Sequence, residues 1–182
     1  MSEPLDGPLV LHERESSVLV HRDALTAAPE IDTTSRLGDG RVVTVDIRFG
    51  RLPSRADLAA EDDVVLGAPA GAGSFGDVPV YTVEGPENLT GYGMALTEVL
   101  EDYDEPLLVR LDSLTALLQH VSVNAAFRFV HVLSGRVDRE RAVLVASLDP
   151  DAHDTQTVAT MTQPFDVVVT GEEGTRRVRR RG

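Results

Sequence analysis

The sequence predicts a three-layer α/β domain built on a mainly parallel central sheet. Short apolar segments rich in valine recur along the chain, and segments with apolar residues at helical spacing lie between several of them. Strands that alternate with helices are typical of parallel sheets, because a crossover helix joins parallel neighbours. With 182 residues and 42% apolar content, we expect one domain with a substantial core rather than two.

The first half of the chain carries the weaker pattern. Val43, Val45 and Ile47 alternate loosely with polar residues, as in a strand whose two faces differ. Pro53 and Ser54 stand where a helix would begin. The predicted elements here are strands at 17–21, 41–49 and 64–66 and a helix at 53–63.

The second half carries a clearer pattern. Leu96, Val99 and Tyr103 belong to an apolar stripe at helical spacing, and Asp154 stands at an N-cap position before a short helix. The predicted strands are 79–83, 106–112, 142–148 and 165–171, and the predicted helices lie within 85–103, 113–120, 123–137 and 154–163. The regular alternation here is the main support for the fold class.

Both ends of the chain differ in composition from this alternating part. Residues 1–16 are polar and contain proline and glycine, which predicts a flexible N-terminal segment. Residues 172–182 predict an arginine-rich C-terminal tail. Its arginines are Arg176, Arg177, Arg179, Arg180 and Arg181. We therefore place a single domain at 17–171.

The charge composition predicts an unusual surface. The chain has 30 acidic and 17 basic residues, a net charge of −13, and no lysine, so that every basic residue is an arginine. A large acidic excess together with arginine in place of lysine suggests a GC-rich halophile, in which high salt screens the self-repulsion. A GC-rich mesophile is the alternative.

Several classes of protein are disfavoured by composition. Without cysteine there is no disulfide, thiolate metal site or thiol nucleophile. The N-terminal residues are acidic where a secretory signal would be basic, and no stretch approaches the roughly 18 apolar residues of a membrane span. We expect a cytoplasmic protein that does not cross a membrane.

The glycine-rich run GAPAGAGSFGD, residues 67–77, raises the question of a phosphate-binding loop. Aligned from Gly67, the template G-x-x-x-x-G-K-[ST] places Ala72 and Gly73 where glycine and lysine belong. Aligned from Gly71, it places Asp77 at the lysine position, which would repel phosphate. The sequence therefore argues against a phosphate loop in this run.

A second nucleotide-type feature is the acid at the end of PLLVRLD, residues 106–112. An Asp at the carboxyl end of a strand is the layout that holds Mg²⁺ in nucleotide-binding ATPases, the Walker B position. Asp112 and Ser113 are the candidate residues. Either residue could instead cap the helix that follows, a contribution of about 1 kcal/mol.

The residues around Asp112 also carry a family resemblance. The runs LLVRLDSLTALLQHVSVNAAFRFVHVLSGRV and AVLVASLDPDAHDTQTVATMTQPFDVVV, with PVYTVEGPENLTGYGMALTEVL upstream, resemble RecA-like ATPases of the KaiC/RadA type. Within that superfamily they resemble a haloarchaeal group that lacks the phosphate loop. The resemblance covers about residues 79–171, and the first predicted strand runs into RDALTAAPE where an active relative would carry its loop.

The resemblance implies a RecA-like fold without a phosphate loop. Because the chain has no lysine and a net charge of −13, Asp112 alone would repel ATP. We expect a non-catalytic pseudo-ATPase without a cofactor, which acts as an interaction or regulatory module through a protein partner or self-association. The second hypothesis is an ATPase whose site is completed in trans, with Asp112 and Ser113 positioning Mg²⁺. Arg136, Arg139 or Arg141 would then act on the phosphates of a neighbour.

The arginine-rich tail supports a third hypothesis, a DNA-associated regulator. Five phosphate contacts would lose about four to five orders of magnitude in affinity for each tenfold rise in salt, so a halophile would gain little. Contact with the protein's own acidic surface or with a like subunit explains the tail equally well. Nucleic acid is therefore the weaker partner hypothesis.

Metal binding and hydrolase chemistry find little support. The histidines show no compact ligand spacing, and the H-E-x-x-H and G-x-S-x-G patterns are absent. The five histidines are His12, His21, His120, His131 and His153. The segment SLDPDAHDTQ is rich in acids, but a strand-to-helix loop capped by Asp154 accounts for it without a metal ion.

Overall fold

The computed structural model describes residues 2–22, 28–51, 64–68, 78–111, 113–171 and 176–181. The strands are β1 (Ser2–Pro4), β2 (Leu9–Val10), β3 (Ser17–His21), β4 (Ile31–Asp32), β5 (Val43–Arg51), β6 (Val64–Ala68), β7 (Val80–Thr82), β8 (Leu107–Leu111), β9 (Ala142–Leu148), β10 (Val167–Thr170) and β11 (Arg177–Arg180). The helices are α1 (Thr34–Leu37), α2 (Leu89–Asp102), α3 (Leu114–Leu117), α4 (Val123–Arg139) and α5 (Thr155–Thr162), with a 3-10 turn at Pro150–Ala152.

A nine-stranded sheet forms the centre of the described part of the chain. Its order is β1-β11-β10-β3-β9-β8-β5-β6-β7, and the strands from β10 to β7 are parallel to their neighbours. The two remaining pairs, β10 with β11 and β11 with β1, are antiparallel, so that β11 alone is reversed within this sheet of described strands. The prediction of a three-layer α/β fold with a mainly parallel central sheet is confirmed by this arrangement.

Helices cover one face of the sheet, which we call the helix face. Alternate strand residues such as Val45, Ile47 and Phe49 point into it and pack against the buried sides of α2, α3, α4 and α5. Phe49, Tyr92 and Phe129 form an aromatic cluster there, with ring centroids 5.0 to 6.4 Å apart. Tyr92 also donates its hydroxyl to the carbonyl oxygen of Arg48, over 2.7 Å, so this buried hydroxyl is paired.

The opposite face, which we call the second face, has a smaller core and a different cover. Val18 and Val20 of β3 and Val167 and Val169 of β10 point into it. The two-stranded sheet formed by β2 and β4, together with α1, supplies much of the cover. Asp166, just before β10, links that strand to the start of β3. Its Oδ2 accepts hydrogen bonds from the backbone N–H and hydroxyl groups of Ser16 and Ser17.

The N-terminal segment differs from the flexible one that we expected for residues 1–16. Leu9 and Leu11 are fully buried in the second face, and β1 pairs with β11 from Ser2 to Pro4. The physical reason is that the second face lacks a long helix among the described residues and needs apolar cover. The short run LVL at 9–11 supplies that cover without any periodic pattern.

The arginine-rich segment also differs from the tail that we expected at 172–182. Residues Arg177–Arg180 form β11, which pairs with β10 on one side and β1 on the other. Val178 is only 4% exposed and belongs to the core of the second face. The arginines extend from the strand while their backbone completes the sheet, so five arginines in six positions are compatible with a strand. Residues 172–175 lie outside the described residues.

Smaller differences concern the bounds of elements. The long first-half strand runs from Val43 to Arg51 rather than from 41 to 49. The helix expected within 113–120 is the single turn α3. The helix expected at 53–63 lies outside the described residues. Among the residues that are described, no helix has the length and apolar character needed to cross a bilayer.

Candidate functional site

A small crevice lies on the second face, toward the carboxyl ends of four adjacent parallel strands. These strands, β3, β9, β8 and β5, end at the same edge of the sheet, where open α/β sheets bind ligands. The crevice has a volume of about 230 Å³. We call it the carboxyl-edge crevice, and its lining includes Val20, Arg22, Asp46, Arg48, Arg110 and Ser147.

Charged residues reach this crevice because they alternate with core residues along the strands. On β5, Val45 and Ile47 face the helix layer, so Asp46 and Arg48 point to the second face. Parallel pairing places Arg110 of β8 in register with Asp46. Two strands that are distant in sequence thereby bring their charged residues to one place.

Asp46 is the most deeply buried ionisable group of the crevice. It is 2% exposed, and its Oδ2 lies 2.6 Å from both Nε and Nη2 of Arg48. A buried carboxylate requires such a partner, because desolvation without one is very costly. The Asp46–Arg48 pair therefore fixes both side chains against the sheet.

The charge and size of the crevice define what it could hold. Three arginines and one aspartate line it, so its described lining is positive although the chain carries a net charge of −13. A guanidinium group can bind a carboxylate or a phosphate through two parallel N–H···O hydrogen bonds. A volume of about 230 Å³ is, however, below the roughly 300–1,000 Å³ of ordinary small-molecule pockets. The crevice suits a small anion better than a nucleotide.

Only one residue of the predicted Walker-B-like pair, Ser113, belongs to the described part of the chain. Asp112 lies outside the described residues. Ser113 is the N-cap of α3, where its hydroxyl oxygen accepts a hydrogen bond from the backbone N–H of Ala116 at 3.1 Å. This is the capping role that the sequence allowed for it, and its role beside Mg²⁺ stays a prediction.

The start of the glycine-rich run is strand rather than loop. Gly67 and Ala68 belong to β6, and the carbonyl oxygen of Gly67 accepts a hydrogen bond from the backbone N–H of Val83 at 3.0 Å. The template aligned from Gly67 would need a loop at this point. Residues 69–77 lie outside the described residues.

The predicted arginine contacts are divided between the two faces of the sheet. Arg180 reaches the second face, where its Nε lies 2.8 Å from Oε1 of the nearly buried Glu15. Arg179 and Arg181 line a larger groove on the helix face, and Arg177 is exposed. Arg176 lies just before β11. Whether any of the five contacts a nucleic acid or a protein stays a prediction.

The arginines proposed to act in trans all contact their own chain. Arg136 donates to the hydroxyl of Thr97 at 2.7 Å, Arg139 to the carbonyl oxygen of Gly135 at 3.0 Å, and Arg141 to that of Leu37 at 3.4 Å. Each guanidinium retains further donors, but these contacts hold the side chains against α2, α4 and α1. Their role on a neighbour's phosphates stays a prediction.

The histidines are dispersed over the fold. His131 stacks on Phe127, with ring centroids 5.8 Å apart, and Nε2 of His153 lies 3.1 Å from the hydroxyl of Thr115. Burial, followed by the charge of Arg179, lowers the pKa of His21. Nδ1 of His12 lies 3.5 Å from Oε1 of Glu15. In the described ranges, no three His, Cys, Asp or Glu side chains are grouped so that they could hold a metal ion.

Sequence reasoning missed the residues of the carboxyl-edge crevice. The available signal was a charged residue inside an otherwise apolar strand, as in RVVTVDIRF and LLVRL. Such residues are rare in buried strands unless they are paired. Without the register that aligns Asp46 with Arg110, the sequence did not indicate that they meet.

Fold and site together define a class of protein: a three-layer α/β domain with a mainly parallel sheet and a small, arginine-lined crevice at its carboxyl edge. The chain belongs to DUF7504, described as a family of unknown function, whose model matches residues 10–171. A comparison with curated proteins finds no match.

Two solved structures are similar to the chain. One, a "Structural study of Project ID PH0250 from Pyrococcus horikoshii OT3", is 10% identical with a TM-score of 0.55 and covers 91% of this chain and 86% of that one. At this identity the likeness concerns the fold alone. The other, the "ATPase Domain of G40P", is 12% identical with a TM-score of 0.44 and covers 87% of this chain and 69% of that one.

Proposed function

We propose that this chain is a non-catalytic RecA-like module, a pseudo-ATPase of KaiC-like ancestry that works by binding a protein partner in the cytoplasm of a halophilic archaeon. The observation that carries the proposal is the carboxyl-edge crevice. At about 230 Å³, and with the Asp46–Arg48 pair in it, this edge of the sheet suits an internal ionic contact better than a nucleoside triphosphate.

The sequence supports the same proposal on electrostatic grounds. A phosphate loop uses backbone N–H groups, a helix N-terminus and a lysine to neutralise a triphosphate. The chain has no lysine, and the residues that follow β3 in sequence, RDALTAAPE, do not match the loop template. Arginine can replace the charge of lysine, but its planar fork does not reproduce a compact ammonium.

An equilibrium titration with a fluorescent ATP analogue and Mg²⁺ in concentrated KCl tests the proposal. We expect no saturable binding below about 1 mM, a concentration at which the binding free energy would be only about −4 kcal/mol. The matched variants are Asp112→Ala and, as a control away from the strand ends, Asp104→Ala. Micromolar binding that Asp112→Ala abolishes and Asp104→Ala leaves intact would establish a functional nucleotide site and end the pseudo-ATPase proposal.

A further inference from the structure

A concavity larger than the carboxyl-edge crevice lies on the helix face, between α5 and the arginine-rich strand β11. It has a volume of about 750 Å³. We call it the α5 groove, and it is defined by Val158 and Thr162 of α5, Val168 and Thr170 of β10, and Arg179 and Arg181. The floor of the groove is the part of the sheet that lies beyond α5. A helix or strand bound there would extend the layer of helices that covers the helix face.

The groove combines an apolar floor with a cationic rim. Arg179 forms neither a hydrogen bond nor an ion pair with any described residue, although its charge is close enough to lower the pKa of His21 after the larger effect of burial. The guanidinium of Arg181 donates to the carbonyl oxygen of Gln163 at 3.2 Å, and its backbone N–H donates to that of Asp166 at 2.8 Å. Arg180 and Asp166 also line the groove, but Arg180 pairs with Glu15, and the carboxylate of Asp166 accepts hydrogen bonds from Ser16 and Ser17. The guanidinium groups of Arg179 and Arg181 therefore face the groove without a carboxylate partner among the described residues.

A surface of the opposite character lies on α2. Tyr92, Ala95, Leu96 and Val99 are buried beneath this helix, and its outer side is exposed. We call Met94, Glu98 and Glu101 the α2 stripe, since their spacing of four and three residues places them on one side of the helix. Met94 is 62% exposed, one of the few large apolar side chains exposed among the described residues.

The α2 stripe complements the α5 groove in both charge and polarity. Glu98 and Glu101 are exposed and form no ion pair with described residues, while an exposed methionine adapts readily to an apolar floor. Local pairing of acids with arginines is also required for two copies to meet, because two chains of net charge −13 repel each other.

The two surfaces lie at opposite ends of the same sheet. The α5 groove is at the β10–β11 end, whereas α2 packs over β6, near the β7 end. Contact between them in two copies is therefore heterologous, and each copy retains one free surface of each kind. Such a contact produces a ring if its rotation closes and an open chain if it does not.

We infer that the α5 groove binds the α2 stripe of a second copy of this chain, so that the protein assembles head to tail. This inference rests on the proposed function, for which it names the partner. Arg179 and Arg181 pair with Glu98 and Glu101 of the neighbouring copy, and Met94 of that copy covers the apolar floor.

A charge exchange tests the contact, with mass measured by analytical ultracentrifugation over a range of protein and KCl concentrations. Arg179→Glu and Glu98→Arg each remove the complementarity, and we expect each to raise the protein concentration needed for association by about tenfold or more. The double variant R179E/E98R restores it to within about threefold of the parent. Controls are Arg128→Glu, an exposed arginine on α4 that does not line the groove, and Glu84→Arg, outside α2; both should associate as the parent does.

Four results would overturn the inference: a parent chain that stays monomeric up to about 1 mM, single variants that associate like the parent, controls that weaken association as much, or a double variant that is not restored. Circular dichroism confirms that each variant is folded.

A binding titration with labelled duplex DNA tests the other partner. If the parent chain binds DNA without self-association, and Arg179→Glu loses that DNA affinity, the groove is assigned to nucleic acid. A monomeric parent that also fails to bind ATP leaves the proposed function standing, so the two failures are distinguishable.

Discussion

The two faces of the central sheet are stabilised in different ways. The helix face is covered by long amphipathic helices and contains the larger apolar core, including the cluster of Phe49, Tyr92 and Phe129. The second face is covered by short segments from near both chain ends, and it contains buried or nearly buried carboxylates, Asp46 and Glu15. Stability on one face comes mainly from packing, and on the other from packing combined with ion pairs.

This difference teaches where the fold can tolerate change. Apolar packing is non-directional. The core of the helix face should therefore tolerate the replacement of one apolar residue by another of similar volume. A buried ion pair depends on two specific atoms, and removal of either partner leaves a buried charge. Substitutions that match in size but differ in chemistry should therefore separate the two faces.

Phe129→Ala should produce the largest effect, because it removes a ring from the centre of the helix face. We expect a loss of about 4 kcal/mol in the free energy of unfolding, typical of a buried phenylalanine replaced by alanine. Urea denaturation monitored by circular dichroism measures it.

The matched control for that experiment is Phe127→Ala, two residues earlier on α4. Phe127 is only partly buried and stacks on His131. Its replacement should cost less than half as much. Equal losses in the two variants would show that the aromatic cluster has no special part in the helix face.

Asp46→Asn should follow in size, at about 3 kcal/mol. The substitution keeps the volume of the side chain but removes the charge that Arg48 faces across 2.6 Å. The same denaturation experiment measures the loss, with Asp104→Asn as an exposed control. A loss below about 0.5 kcal/mol, the scale of an ordinary surface substitution, would mean that the second face does not depend on this ion pair.

Val178→Ala should cost about 2 kcal/mol, from two buried methyl groups and the space that they leave. This variant distinguishes a core strand from a solvated tail, since Val178 is 4% exposed between arginines. Arg177→Ala, on the exposed side of the same strand, should change the free energy of unfolding by no more than about 0.5 kcal/mol. If Val178→Ala is equally mild, β11 does not contribute to the core.

The two faces also differ in how far the sequence could predict them. The helix α2 and the strands β8 and β9 follow from periodic apolar patterns, which report burial directly. β1, β2 and β11 contain two to four residues each, too few for a period, and their pairing depends on partners far along the chain. RVRR therefore reads as a tail until Val178 is seen in the core.

The carboxyl-edge crevice was unpredictable for a related reason. Asp46, Arg110 and Val145 are neighbours only because β5, β8 and β9 pair in one register. A shift of one residue would exchange the faces of a strand and send these charges into the helix layer. The sequence shows charges within strands, but the register that collects them is a property of the whole sheet.

The smallest predicted effect is a pH dependence at the border between α5 and the sheet. Burial lowers the pKa of His21 from its ordinary value near 6.5, and the charge of Arg179 lowers it further. Below about pH 6.5 the unfolded chain takes up a proton that the folded chain resists, so this contribution to stability is complete above that pH and is lost as pH falls toward the lowered pKa. His21→Gln should therefore flatten the decline in the free energy of unfolding between about pH 7 and pH 5, measured by urea denaturation at each pH. The exposed His120 provides the matched control His120→Gln.

The variant Arg179→Ala separates the two causes of the lowered pKa of His21. If it raises this pKa, measured by NMR titration of the ring protons, the arginine of the α5 groove is confirmed as one cause. An unchanged pKa would mean that burial is the sole cause.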